Sequence, residues 1–97
     1  MSDLTFEWNS RKAAGNLRKH GVSFDEAKSV FLDENARLIA DLKHSNDADR
    51  FVMLGLSIQL RVLVVVHCCR EKDSVIRLIS ARKADKSESR QYSEYLL

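Results

Sequence analysis

The sequence predicts an α+β domain, a meander of antiparallel β-strands with helices packed against it, and three observations carry that expectation. Residues 61–70 (RVLVVVHCCR) and 74–83 (SVIRLISARK) are dominated by Val and Ile, whose branched side chains suit a pleated sheet better than a helix. The segments between successive predicted strands are short, which favours antiparallel neighbours over parallel crossovers. Helix signals gather before and after the strand-rich half instead of alternating with strands.

Residues 5–8 alternate polar and apolar and open the sheet as a short edge strand. Asn9 or Ser10 then caps a helix running to about His20, with Ala13, Ala14 and Leu17 facing inward and Gly21 supplying the left-handed stop. Ser23 and Glu26 have the spacing of a capping box, in which each side chain satisfies the other's backbone N–H, so a second helix covers residues 24–31. Asp33, Glu34 and Asn35 read as a turn before a strand over residues 36–42. Residues 41–49 are polar and read as a loop. Residues 50–57 alternate again, Ile58-Gln59 turns the chain, and a strong strand starts at Leu60. Residues 71–73 form the next turn, and the return strand runs to about Arg82. Asp85 caps a last helix with Glu88 three residues on. The expected order is β-α-α-β-β-β-β-α.

At 97 residues, with 44% hydrophobic and 31% charged residues, the chain reads as one globular domain over residues 1–97 and not as a disordered or fibrous segment. The longest apolar run, residues 62–66, is far short of the roughly 20 residues that span a bilayer. The start, MSDLTFEWNS, lacks the basic-then-apolar pattern of a signal peptide, so a cytoplasmic protein is expected. Cys68 and Cys69 are sequential strand residues that point to opposite faces, which argues for two reduced thiols and against a disulfide between them. No CxxC or HExxH spacing occurs, and no metal or cofactor is expected. A nucleotide-binding glycine loop is also absent from the sequence, which disfavours a small-molecule enzyme of that class.

The net charge of +2 is unevenly spread. Residues 1–23 hold four Lys/Arg against two Asp/Glu, residues 24–60 four against seven, and residues 61–97 eight against five. If the basic ends meet, they form a patch that attracts phosphates.

Period-two alternation puts Arg61, Leu63, Val65, His67 and Cys69 on one strand face and Val62, Val64, Val66 and Cys68 on the other, which reads as the core. An even turn, such as Lys72-Asp73, pairs His67 with Leu78 and Leu63 with Arg82, and so sets Arg82 beside Arg61 and His67. An odd loop or a bulge would bring Arg77 to that side instead. Ribonuclease chemistry without a metal needs a base for the ribose 2′-OH, cations for the phosphate and an acid for the leaving 5′-oxygen. Arg61, Arg82 and Lys83 can supply the cations, and His67 titrates in the range that exchanges protons. Lys12, Asn16, Lys19 and His20 share a polar stripe on the first helix, either a solvated face or a grip on RNA or a partner. Arg50 and His44 lie where a strand meets a loop, at the rim of a cleft, and Arg77 is a further RNA-binding candidate.

The stretch FEWNSRKAAGNLRKHGVSFDEA, His44-Ser45 followed by Arg50, LVVVH, and the closing IRLISARKA together resemble the BrnT family of type II toxins, from about Phe6 to Tyr92. The resemblance implies a RelE-like α+β fold, ribonuclease activity that arrests translation, and neutralisation by a BrnA-type antitoxin carrying a ribbon-helix-helix domain. Because such domains dimerise, a toxin–antitoxin heterotetramer is the implied assembly. Lys12, Lys19, His20, Arg50, His67, Arg82 and Lys83 fall within the matching motifs. Asn9 stands where the family commonly has Asp, and Cys68-Cys69 where it has more polar residues. A degenerate toxin that binds its antitoxin without cleaving RNA is the alternative these departures leave open.

Overall fold

The computed structural model describes residues 4–39, 50–70 and 74–97. Within them the chain runs β1 (Thr5–Glu7), α1 (Ser10–His20), α2 (Phe24–Ser29), a 3₁₀ turn (Val30–Leu32), β2 (Arg37–Ile39), β3 (Phe51–Leu56), β4 (Val62–Arg70), β5 (Val75–Lys83) and α3 (Lys86–Tyr95). The fold is α+β. Its five-stranded sheet has the order β1-β5-β4-β3-β2. From β2 to β5 it is an antiparallel meander, but β1 joins the far edge parallel to β5, so the sheet is mixed. The sequence could not foretell this, since β1 reaches β5 through the rest of the fold and not through a turn.

Local chemistry sets the helix ends. The Asn9 side chain accepts from the Lys12 N–H, and Gly21 takes φ 70°, where a Cβ would be strained. The Ser23 side chain accepts from the Glu26 N–H, but the Glu26 carboxylate is engaged elsewhere, so only half of the expected capping box forms. At α3 the box is complete between Asp85 and Glu88.

Both sheet faces are covered, unlike the one-sided core the alternation suggested. Val22, Phe24, Ala27 and Val30 pack on Leu63, Val65, Ile76, Leu78 and Ala81, forming the larger core on the face that also bears His67. Each fully buried Val, Leu, Ile or Phe side chain there contributes roughly 1.5–3 kcal/mol. On the opposite face Tyr92 and Tyr95 of α3 cover Val52, Leu54 and Val64. Gly55 is fixed by contact: a Cβ would lie 2.7 Å from the Ala36 Cβ and 2.8 Å from Val30 Cγ1. Asp33 ties the layers together, its Oδ2 accepting from the Leu56 N–H at 2.8 Å and the Tyr92 hydroxyl at 2.6 Å. Burial, reinforced by that hydrogen bond, pushes the Tyr92 hydroxyl up to about 12. Among the described residues no helix is long and apolar enough to cross a membrane.

Candidate active site

A β-bulge decides which side chains meet. Near the turn the register is the even one, with His67 opposite Leu78 and Cys68 opposite Arg77. Between Val66 and His67 it slips by one, so that Val66 faces Ser80, Val64 faces Arg82, and Leu63 faces Lys83. One extra residue on β5 therefore turns Arg82 away from His67 and onto the Val64 face. Arg77, opposite Cys68, lies on that same face. Neither arginine joins Arg61 and His67, a correction to the pairing of Leu63 with Arg82 read from an unbroken ladder.

The α3 face thus carries arginines from several strands. Arg82 makes a two-pronged ion pair with Glu88, Nη1 to Oε1 and Nη2 to Oε2, each 2.8 Å. This fork-to-fork geometry fixes the guanidinium plane. Hydrogen bonding from Arg82 outweighs burial and holds the Glu88 carboxyl below its ordinary value. Further along the face, Arg77 and Arg70 each donate to Glu7 Oε2 at 2.9 Å. The Arg77 hydrogen bond, with the charges of both arginines, holds Glu7 below its ordinary value as well. Arg50 directly precedes β3, whose alternation, continued by one residue, would set it on the same side. Tyr92 and Tyr95 cover the end of this face toward Leu54 and Leu56, and Arg37 stacks 5.4 Å from the Tyr95 ring centre.

The other sequence candidates lie apart from this cluster. Arg61 points to the α1–α2 side, where its Nε donates to Glu26 Oε2 at 2.9 Å and its Nη2 bonds Glu26 Oε1 and the Gly21 carbonyl. Ser57 Oγ donates to the same carboxylate at 2.7 Å. The Arg61 hydrogen bond, followed by that of Ser57 and the charges of Arg61 and Lys83, overrides burial and holds Glu26 below its ordinary value. Lys83 itself is exposed.

His67 is buried, 2% exposed, with the Phe31 ring edge-on at 4.8 Å and the Phe51 ring at 6.0 Å. Burial lowers its pKa, against a weak 3.4 Å contact from Nδ1 to the Val65 carbonyl. The imidazole is therefore neutral at pH 7 and faces core, not solvent.

On α1, Lys12 and Lys19 are exposed and His20 is half-buried, whereas Asn16 is buried against β5. The polar stripe is thus split, and its cations lie on the layer opposite α3. His44 lies outside the described residues. Both cysteines are partly exposed. Among the described residues no group of three His, Cys, Asp or Glu side chains is placed to hold a metal ion.

Sequence reasoning missed Glu88, Glu7 and Arg70 as members of a charged face. Glu88 had been legible as a cap, but nothing in the spacing announces that the same carboxylate grips Arg82.

The family model for the ribonuclease toxin BrnT of type II toxin–antitoxin systems matches residues 8–88. Among solved structures, the 1.1 Å crystal structure of the Brucella abortus ribonuclease toxin BrnT is similar, with a TM-score of 0.66 and 21% identity. The alignment covers 86% of this chain and 99% of that one, and at this identity it speaks to the fold. No curated protein matches the sequence. The family model embraces α1, α2, the whole sheet from β2 to β5 and the start of α3 through Glu88, and the chain belongs to the BrnT family of type II toxin–antitoxin ribonuclease toxins.

Proposed function

We propose that the chain is an endoribonuclease that cleaves RNA by attack of a ribose 2′-OH on its adjacent phosphate, without a metal ion, and works on the α3 face of the sheet around Arg82. The observation that carries this reading is the Arg82–Glu88 fork. A guanidinium held flat by a carboxylate presents the geometry that two non-bridging phosphate oxygens require. As the scissile phosphate takes over the fork, Glu88, ionised at neutral pH, accepts the 2′-OH proton. The 2′-oxygen bonds to phosphorus, the bond to the 5′-oxygen breaks, that oxygen takes a proton from water, and the hydroxide left behind removes the proton from Glu88. The products are a 2′,3′-cyclic phosphate and a 5′-hydroxyl. Arg50, at the level of Cys68 and Arg77 in the β3–β4–β5 register, and Lys83, next to Arg82 but across the sheet, add longer-range attraction. His67 and Arg61 act in the fold and not on RNA.

The sheet with helices on both faces is read as a RelE-like scaffold. A type II toxin implies an antitoxin partner. The partner fitting this reading is a BrnA-type protein whose acidic side chains cover the arginine face and whose ribbon-helix-helix dimer joins two toxins in a heterotetramer.

Purified protein incubated with end-labelled RNA in excess chelator tests the reading. Fragments ending in 2′,3′-cyclic phosphate are expected. Intact RNA with folded protein would overturn it and favour the antitoxin-binding module.

A further inference from the structure

The geometry points to a second phosphate subsite, distinct from the Arg82–Glu88 fork and built by Arg70 and Arg77 on Glu7, that takes a phosphate further along the same RNA strand and not adjacent to the scissile one. This deepens the proposed function and rests on it.

The first support is the construction of the cluster. Glu7 on β1 is the register neighbour of Arg77 on β5, and Arg70 ends β4 beside it. One oxygen of one carboxylate accepts from both guanidinium groups, each at 2.9 Å. Three charged groups therefore leave a net +1. Each guanidinium carries five N–H donors and, among the described residues, spends one on Glu7. The arginine side chains are 57% and 36% exposed, so an incoming anion reaches them without rearrangement of the core.

The second support is position. Arg77 and Arg82 are five residues apart, an odd spacing that places them on opposite faces of a regular strand. The β5 bulge removes that obstacle and turns both to the α3 face. Their partners on β4, Cys68 and Val64, are four residues apart, which sets the two cation clusters roughly 13 Å from each other along the strand. One phosphate cannot touch both, whereas two phosphates of one chain can. The bulge is thus what converts two separate arginines into a track, and bulges serve such re-aiming at functional sites.

A dinucleoside monophosphate has only the scissile phosphate, whereas a decanucleotide also offers one to the second cluster. The test compares cleavage of both by wild type and by the R70Q/R77Q double variant, with thermal unfolding confirming that the variant folds. We expect KM for the decanucleotide to rise about tenfold or more with kcat within about twofold, and any loss on dinucleoside monophosphates to be at least fivefold smaller. An equal loss on both substrates, or no change on the decanucleotide, overturns the subsite. Anisotropy of a fluorescein-labelled decanucleotide at two salt concentrations gives a reading independent of cleavage. Weaker binding with a shallower salt dependence in the variant is expected. Unchanged RNA binding overturns the subsite, including where the same variant loses only its antitoxin. Wild type that binds RNA through these arginines yet cleaves none would refute the ribonuclease reading and leave the subsite standing.

Discussion

Asn16 pairs with the backbone of Ala81 as a neighbouring strand would. Its side-chain N–H donates to the Ala81 carbonyl at 2.8 Å, and its Oδ1 accepts from the Ala81 N–H at 3.1 Å. The other amide hydrogen reaches the Val22 carbonyl at 2.9 Å. The described β1–β5 pairing ends at Arg77, so beyond it a helix side chain satisfies the strand edge. Asn16→Ala strands a buried N–H and two carbonyls, and a loss of about 3 kcal/mol is expected from denaturant unfolding. Asn16→Asp, which keeps the shape but supplies no donors, should be no better.

The relationship explains what the sequence could and could not reveal. Caps, periodicity and turn residues are local, and the helices and the four meander strands were legible from them. Asn16, by contrast, sits at ordinary helical spacing with Lys12 and Lys19, and only the approach of β5, 65 residues away, shows that it is structural. The bulge in β5 was equally hidden, because Ile79 and Ser80 fit a regular strand as well as a bulged one. That single slip moved Arg82 from the face of His67 to the face of α3, and with it the whole candidate site. His67 was legible as a titratable residue in a strand, but its ring neighbours Phe31 and Phe51 come from distant segments.

Burial of His67 makes stability pH-dependent. Its folded pKa lies below the ordinary 6.5, so below that pH the unfolded chain binds a proton that the native state refuses. Stability should fall as pH drops from about 6.5 until the folded imidazole itself titrates. His67→Leu should flatten this part of the profile in urea melts between pH 7 and 5. An unchanged slope would assign it to other groups.

Gly55→Ala should destabilise by about 1–3 kcal/mol through overpacking against Ala36 and Val30. Thermal melts of G55A and of G55A combined with Val30→Ala distinguish the mechanism. The second substitution removes the Val30 methyl that lies 2.8 Å from the new Cβ, and the two effects should be less than additive.

The Glu26–Arg61 pair is structural. Glu26→Gln should cost about 2 kcal/mol, below the range for fully buried pairs because the Arg61 side chain is 29% exposed. The folded carboxyl sits below its ordinary 4.5, so its stabilisation is complete above that value and is lost as pH falls through the folded pKa. E26Q should lack this part of the acid sensitivity. Arg61→Met, assayed where the protein remains folded, should keep kcat within about threefold. A hundredfold loss would return Arg61 to the chemistry.

The most direct measurement of the central claim is total RNA and growth in cells under tight induction, comparing wild type with the R82Q/E88Q double variant. That variant removes both charges of the fork together, so neither is left unpaired beside the sheet. Wild type should arrest growth as its RNA is degraded, and the double variant, present at equal soluble level, should do neither. A double variant that arrests growth and degrades RNA as fast as wild type would contradict the placement of the active site on the α3 face.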